Sequence, residues 1–351
     1  MFGPEKKSWT CISSVFKVFN RKFGQPAVQT HPHLLREGEV TPGISKEEYS
    51  NRRRTLLEKV SKKFTKQKNL NKHIMIFPSA SKVYMTYGIP YPFRQNTEFL
   101  YLCGFQEPDS VLILESHSEG NKNVTQSSLF VPKKDPLREL WDGPRSGIDG
   151  TIHITGIDQA FNIDDLESYL YRYCQENSQF LLWYNHEKPV NQNLHSKILS
   201  EFTKQKQFKH LENTTQMVHE MRLIKSEAEI RLMEATCQIA SEAFKDVMKF
   251  SHSNVNESHL YAKMDFECRI RDAEILAYPP VVAGGKRANI IHYVNNNQII
   301  EEGELVLMDA GCEYHGYTSD ITRTWPVSGK FSKAQRALYD AILRVELSYI
   351  L

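Results

Sequence analysis

Residues 304–325 have the sequence ELVLMDAGCEYHGYTSDITRTW, which is the pattern of a β-hairpin. An apolar run leads to Asp309, a short glycine-containing loop follows, and a second alternating run begins after Asp320. If the loop is centred between Tyr314 and His315, Asp309 lies directly opposite Asp320. Directly opposed side chains of an antiparallel pair share a face, with Cβ atoms about 4.5–5.5 Å apart. The sequence therefore predicts two facing carboxylates on one hairpin.

Two carboxylates at this separation repel each other unless a cation lies between them. A pair of divalent metal ions would supply it, because carboxylates that flank two ions about 3.5–4 Å apart form hydrolytic sites. The alternative is that one aspartate is a turn or capping residue while the other pairs with Arg323. A Ser/His/Asp triad and a zincin site are disfavoured, since the sequence has neither a nucleophile-elbow motif nor HExxH. The hairpin alone leaves the metal site and the structural alternative open.

The order of predicted elements indicates two domains of an α/β (α+β) protein. The 351 residues are long enough for two domains, and the first region mixes short apolar strands with amphipathic helices. We place a leader and linker at 1–44, an N-terminal domain at 45–215 and a second domain at 216–351. Helices are predicted over 45–67, 162–175, 257–275 and a long segment from Ser226, and strands over 73–77, 110–115, 128–132, 179–185 and 290–294.

Composition excludes several classes of protein. Lys and Arg total 44 against 42 Asp and Glu, so the net charge of +2 is far from the basic footprint of a nucleic-acid-binding protein. No apolar stretch approaches the roughly 18 residues that a membrane-spanning helix needs. The 6 cysteines are scattered without a CxxC pair, which argues against a zinc finger and against a disulfide framework. We therefore expect neither a nucleic-acid partner nor a membrane span.

The first 24 residues differ in composition from the rest of the chain. They carry five basic residues against the single acid Glu5, and their apolar residues gather on one side of a helical wheel. A basic, acid-poor amphipathic N-terminus is typical of an organelle-targeting presequence. The alternative is an ordinary amphipathic first helix or a tail. The polar stretch that follows, 25–43, is predicted to be an unstructured linker.

Motifs on both sides of the hairpin match a known family. Before it come AYPPVVAGG at 277–285 and the pair His292-Tyr293, and SDITRTWP at 319–326 overlaps its second strand. In the first region, FRQNTEFLYLCGF at 93–105 and ELWDGPRSG at 139–147 match the same family in the same order. With these motifs, the sequence resembles the aminopeptidase P branch of the pita-bread metallopeptidases.

The resemblance implies a creatinase-like N-terminal domain, a partial pita-bread catalytic domain and a peptidase activity. Such enzymes remove an N-terminal residue that precedes proline, usually with two manganese ions. Carried over by motif, Asp309 binds one metal and Asp320 bridges both. His292 would be a catalytic residue that hydrogen-bonds the substrate or the tetrahedral intermediate, and Tyr278 would line the substrate pocket. The partners implied are peptides with proline in second position and, for the full-length form, a second copy of the chain. The implied location is mitochondrial, with the cytoplasm as an additional location.

One departure from the family pattern bears on activity. The family completes its metal site with one His and two Glu ligands beyond the aspartate pair. The residues after Asp320 contain no histidine, and their sole glutamate, Glu346, matches no ligand motif. Two of five ligands are therefore present, and we expect a truncated or alternative form with reduced or no activity. The main alternative is a non-catalytic binding or dimerisation module of the pita-bread family, and a dipeptide-specific prolidase is disfavoured by the motifs.

Overall fold

The computed structural model describes residues 23–68, 72–119, 122–177, 179–204 and 210–350. It divides the chain into two compact units, Met1–Lys225 and Ser226–Leu351. In the described part of the chain, no helix is both long and apolar enough to cross a bilayer.

The first unit is a mixed α/β structure. Its strands are β1 (Glu39–Thr41), β2 (Ile44–Ser45), β3 (Lys72–Pro78), β4 (Tyr84–Thr86), β5 (Ile89–Pro90), β6 (Val111–Glu119), β7 (Lys122–Val131), β8 (Gln159–Asn162), β9 (Leu181–Trp183) and β10 (His210–Glu212). Its helices are α1 (Lys46–Lys68), α2 (Thr97–Cys103), α3 (Pro136–Asp142), α4 (Gly147–Thr155), α5 (Leu166–Glu176) and α6 (Thr215–Leu223). Shorter helical turns cover Ile163–Asp165, Gln192–Leu194, His195–Leu199 and Ser200–Phe202.

A six-stranded sheet in the order β10-β9-β3-β6-β7-β8 forms the centre of this unit. Strand β3 pairs antiparallel with β6 and parallel with β9, and nearly all of its residues are buried. Such a continuous apolar run is typical of a strand covered on both faces. Met75 and Leu112 pack on one face with residues of α1, α2 and α6, whereas Ile74 and Ile76 pack on the other with α5. The predicted strands and helices of this region are confirmed, with ends that differ by up to six residues: the strand predicted over 128–132 extends over Lys122–Val131.

The predicted linker at 25–43 is wrong, because its described residues pack against the first unit. The side chain of Gln25 is buried; its Nε2 donates to the carbonyl of Gly104 at 3.3 Å, and its Oε1 accepts the backbone N–H of Gln106 at 2.8 Å. Ala27 and Leu35 are also buried, and β1 and β2 form a small hairpin. The polar composition hid a segment that is fixed by hydrogen bonds rather than by an apolar face. Residues 1–22 of the predicted leader lie outside the described part of the chain.

The structural division of the chain falls later than the predicted domain boundary at 215/216. Helix α6 belongs to the first unit, because Met217 and Val218 are buried in the same apolar cluster as Trp183. The unit therefore ends at Lys225. Composition does not reveal this boundary, since the polar stretch before α6 resembles a linker more than the residues after it do.

In its described residues, 226–350, the second unit has three helices and several short sheets. Its helices are α7 (Glu227–Phe250), α8 (Glu257–Arg269) and α9 (Lys333–Ile350), with a 3-10 turn at Gly285–Asn289. Its strands are β11 (Val255–Asn256), β12 (Ile275–Leu276), β13 (Val281–Gly284), β14 (Ile299–Ile300), β15 (Leu305–Ala310), β16 (Cys312–Tyr314), β17 (Tyr317–Thr318) and β18 (Ile321–Pro326). Strands β13-β15-β18 form one three-stranded sheet and β12-β16-β17 another.

Helix α7 begins with a capping box: Ser226 accepts from the backbone of Glu229, whose side chain accepts from the backbone of Ser226. In the C-terminal half of α7, Ala240, Phe244 and Val247 are buried. In the N-terminal half, Leu232 and Thr236 are buried, while Ile230 and Cys237 are exposed. The hydroxyl of Thr236 donates to the carbonyl of Cys312 at 2.9 Å, and this hydrogen bond offsets the free energy lost when a polar group leaves water.

Two further predictions in this unit are wrong. The helix predicted to reach Ile275 ends at Arg269, because Asp272 adopts a positive φ of 69° and Ile275 pairs with β16 instead. The strand predicted over 290–294 is a turn that follows the 3-10 helix. Its apolar residues Ile290 and Ile291 are exposed. An apolar run of this length does not by itself distinguish a strand from a loop that is fixed by polar contacts.

Candidate functional site

The hairpin exists, but its register differs from the predicted one. Asp309 lies opposite Thr322, not Asp320, and the turn is formed by His315 and Gly316. Both residues have positive φ, 51° and 85°, as a two-residue type I′ turn requires. Because the register continues through the hairpin, Asp320 comes opposite Gly311, which places it diagonally from Asp309 on the same face. The predicted direct opposition is wrong, and the shared face remains.

A residue from outside the hairpin stabilises this turn. The carboxylate of Glu274 accepts the backbone N–H of His315 at 3.0 Å and lies 2.5 Å from its ring Nδ1. Burial by itself would raise the pKa of Glu274, but the hydrogen bond and the charge of His315 outweigh burial and lower that pKa below its ordinary value. This contact explains how a non-glycine residue is held at positive φ, and therefore why the turn is shifted from its predicted centre.

The two strands of the hairpin and the strand beside them are all interrupted at the same level. Between β15 and β16 the interruption is Gly311, and between β17 and β18 it is Ser319 and Asp320. On the neighbouring strand, residues 277–280 bulge out between β12 and β13, since Leu276 pairs with Cys312 and Val281 pairs with Asp309. The aligned interruptions place the side chains of the motif where ordinary ladder pairing is absent.

Tyr278 lies in this bulge and reaches both aspartates. Its hydroxyl is 2.5 Å from Oδ1 of Asp309 and 3.0 Å from Oδ1 of Asp320. Asp309 and Tyr278 are half-buried, whereas Asp320 is exposed. Partial burial, and then the hydrogen bonds to the two carboxylates, raise the pKa of Tyr278, so that the phenol is a neutral donor near pH 7. The structure therefore brings together three of the four predicted site residues.

His292 is the fourth predicted site residue, and it lies in the exposed turn after the 3-10 helix. It does not lie on a strand, which corrects the interpretation of its sequence context. In the described part of the chain it has no hydrogen bond to either aspartate. Its ring is accessible to a ligand, and its position depends on the segment that carries it.

One buried carboxylate, missed in the sequence, anchors that segment. Glu257, at the first position of α8, is fully buried. Its Oε1 accepts from the backbone N–H of Gly284 at 3.0 Å and from Nε of Arg287 at 2.6 Å. Its Oε2 accepts from the hydroxyl of Tyr293 at 2.8 Å and from the backbone N–H of Gln298 at 3.0 Å. All four donors belong to 284–298, so a single side chain holds the segment that includes His292.

The donor set fits a hard divalent cation in part. Carboxylate oxygens are the ligands that such ions prefer, and Asp309 and Asp320 direct one oxygen each toward a common point. Within the described residues, no group of three or more His, Cys, Asp or Glu side chains is arranged to hold a metal ion. Asp309 and Asp320 are the two acidic side chains that meet at this point.

Comparisons with known proteins show the family to which the chain belongs. Residues 49–183 match the family model described as aminopeptidase P, N-terminal domain, and residues 231–350 match that of metallopeptidase family M24. The chain is 47% identical to Xaa-Pro aminopeptidase 3 of Mus musculus over 334 residues, which are 95% of this chain and 65% of that protein. It is 39% identical to "Intermediate cleaving peptidase 55, mitochondrial" of Arabidopsis thaliana, over 92% of this chain and 62% of that protein.

A solved structure shows the same architecture. The protein is similar to "Proline aminopeptidase P II from Yersinia pestis", with a TM-score of 0.76 and 32% identity over 86% of this chain and 67% of that one. The chain thus spans somewhat less than two thirds of the length of the curated relatives that it matches.

Proposed function

Because the chain belongs to the aminopeptidase P family of the M24 metallopeptidases, we propose that it carries part of the active site of a peptidase that releases an N-terminal residue preceding proline. The observation that carries this proposal is the meeting of Asp309 and Asp320 at one hydroxyl. Two acidic groups that must share one donor are an unfavourable arrangement for the fold alone. The same arrangement is suitable for binding cations, because two carboxylates can share the charge of a bound ion.

We propose that Asp309 and Asp320 hold two divalent ions, with manganese as the physiological metal. Manganese prefers hard oxygen ligands, which both side chains offer. When bound, the ions would polarise the scissile carbonyl and make a water molecule nucleophilic near neutral pH. The half-buried Asp309 would bind one ion, and the more exposed Asp320 would bridge both.

The remaining site residues would act on the peptide. His292 is exposed and can donate a hydrogen bond to the substrate or to the tetrahedral intermediate, while the network around Glu257 fixes its segment. The half-buried ring of Tyr278 would form part of the wall of the substrate pocket. The substrates that we propose are peptides with proline in second position.

A polypeptide of these 351 residues would have reduced or no activity, because two family ligands of five are present. The only glutamate after Asp320, Glu346, is an exposed residue of α9. Water would have to replace the absent side chains, and loss of fixed positioning removes a large part of the rate.

The second candidate function, a non-catalytic binding or dimerisation module, is favoured by an exposed apolar surface on the first unit.

That surface consists of α3 and the small hairpin formed by β4 and β5. Tyr87 of the hairpin is fully exposed, and Leu140 and Trp141 of α3 are 80% and 88% exposed. An ion pair of 2.9 Å joins Asp142, the last residue of α3, to Lys82, two residues before β4. Large exposed apolar patches are typical of protein interfaces. We propose that the full-length form is a homodimer, which sedimentation of wild type and of Trp141→Ser would test.

We also propose a mitochondrial location. The supporting observations are the basic, acid-poor sequence of the first 24 residues and the name of the Arabidopsis relative, which includes the word mitochondrial. A reporter fused to residues 1–44 should localise to mitochondria. The same fusion with Lys17, Arg21 and Lys22 replaced by glutamate should remain in the cytoplasm, and identical distributions of the two would contradict the proposal.

The site itself is tested by metal binding and turnover. Wild type should bind Mn²⁺ in calorimetric titration, and Asp309→Asn and Asp320→Asn should each abolish measurable binding. Asp340→Asn, a neutralised acid on α9, is the control and should bind as wild type does. A chain extended to the length of its relatives should cleave a peptide with proline in second position and spare the same peptide with alanine there. Cleavage of neither peptide by the extended chain would contradict the proposed activity.

A further inference from the structure

The hydroxyl of Tyr278 lies between two carboxylates, although it has only one proton to donate. The shorter distance, 2.5 Å, is to Asp309, and the longer, 3.0 Å, is to Asp320. These two distances limit the separation of the two Oδ1 atoms. A donor shared between two anions also offsets part of their mutual repulsion, which otherwise drives like charges apart.

The backbone around Tyr278 is fixed on both sides. Before it, the N–H of Ala277 donates to the carbonyl of Gly311 at 2.9 Å. After it come two prolines, whose φ angles are restricted, and the carbonyl of Pro280 accepts from Nδ2 of Asn296 at 2.8 Å. Asn296 is buried, and its Oδ1 accepts the N–H of Val282 at 2.9 Å. The phenol is therefore placed by the fold and not by its contact with the aspartates.

Of the two aspartates, Asp320 is held less firmly than the tyrosine. Asp309 is the fifth residue of the central strand β15, and it pairs with Val281 on one side and with Thr322 on the other. Asp320 lies between β17 and β18 and is exposed, so its side chain has freedom that the ladder does not remove. A rigid donor next to a mobile acceptor fixes the orientation of the acceptor, as outer partners do for many metal ligands.

We propose that Tyr278 is a positioning residue of the metal site: its hydroxyl holds the carboxylates of Asp309 and Asp320 at a separation and orientation that suit a shared divalent ion. This inference rests on the proposed function, because it takes the two aspartates to be metal ligands. It assigns to Tyr278 a role in metal affinity in addition to its place in the pocket wall.

The substitution Tyr278→Phe removes the hydroxyl and keeps the ring. Without the shared donor, the two carboxylates move apart, and part of the free energy of metal binding is spent on bringing them together again. Loss of an outer partner of a metal ligand typically weakens metal binding about 10–100-fold. We expect a loss of this size for Mn²⁺, with little change in the unfolding temperature of the metal-free protein.

The test is a calorimetric Mn²⁺ titration of the full 351-residue chain. Tyr261→Phe is the matched control, since it removes the hydroxyl of an exposed tyrosine on α8. Tyr278→Met is a second variant without the hydroxyl, and circular dichroism with thermal unfolding verifies that each variant is folded. Weaker binding by both Tyr278 variants, with the control unchanged, is the expected result.

The failures of the two proposals are distinguishable. If wild type binds Mn²⁺, Asp309→Asn does not, and a folded Tyr278 variant binds as tightly as wild type or more tightly, the positioning role is overturned while the metal site stands. If wild type itself shows no Mn²⁺ binding, the proposed metal site fails first, and the positioning role fails with it.

Discussion

Gly311 lies against the backbone of Ser319: a Cβ atom on Gly311 would be 1.8 Å from the carbonyl oxygen of Ser319. Real Cβ atoms do not approach a backbone oxygen so closely, and backbone cannot move aside as a flexible side chain can. The contact lies at the aligned interruption of the strands, where Ser319 also accepts the N–H of Cys312 on its hydroxyl at 3.0 Å. The glycine is therefore required for the close approach of the two hairpin strands beside Asp320.

Gly311→Ala should destabilise the second unit strongly. Forcing a methyl group into a packed site costs about 1–3 kcal/mol, and contact with backbone places this substitution at the upper end. The control is Gly329→Ala, which has open space around its Cβ but a positive φ of 77°, and should lose about 1 kcal/mol or less. Urea unfolding of both variants checks this, and a smaller loss for Gly311→Ala than for the control would contradict it.

Residues 23–44 should be required for a stable first unit. A polypeptide of residues 23–225 should unfold cooperatively, and one of residues 45–225 should melt at lower temperature or aggregate. Removal of residues 23–44 exposes a buried surface and leaves the carbonyl of Gly104 and the N–H of Gln106 without their partner, Gln25. An unsatisfied buried group costs about 1–3 kcal/mol. Thermal unfolding of the two polypeptides measures the effect, and equal midpoints would contradict the requirement for residues 23–44.

The stability of the first unit should depend on pH through His73. Its ring is fully buried, its Nδ1 accepts from Nε1 of Trp183 at 3.3 Å, and burial lowers its pKa to about 4. Between about pH 6.5 and pH 4 the unfolded chain binds a proton that the folded chain does not. The free energy of unfolding should therefore fall as pH decreases through this window, by up to about 3 kcal/mol.

Urea unfolding of residues 23–225, followed by tryptophan fluorescence at several pH values, measures this effect. In His73→Gln the slope between pH 6.5 and 4 should be smaller, because the titrating group is gone. The neutral-pH stability of this variant is not the readout. An unchanged slope would show that another group carries the pH dependence.

Glu257→Gln should loosen the segment that carries His292. The amide keeps one acceptor oxygen but loses the charge that pairs with Arg287 at 2.6 Å, and breaking a buried pair costs about 3–5 kcal/mol. Hydrogen exchange should become faster over 284–298. Glu304→Gln is the control, since this half-buried carboxylate is 3.6 Å from the same arginine and should contribute less than about 1 kcal/mol. Equal exchange in the two variants would contradict the anchoring role.

Much of the fold follows from local sequence signals. The capping box of Ser226 and Glu229 marks the start of α7, and the apolar run from His73 marks a central strand; both depend on residues close together in the chain. The family motifs likewise led to the aminopeptidase P family and to a creatinase-like domain followed by a pita-bread domain, which the comparisons confirm. Such signals suffice where a short segment determines its own structure.

Contacts between distant segments decided the rest. The register of the hairpin depends on His315 at positive φ, which Glu274 stabilises from 41 residues away in sequence. Likewise, Gln25 fixes an apparent linker through groups near Gly104, and Glu257 anchors a segment that the apolar pattern assigned to a strand. Residue types and spacing determined that Asp309 and Asp320 would share a face. Only the tertiary structure placed Tyr278 between them, because its bulge forms by pairing with a strand that comes later in the chain.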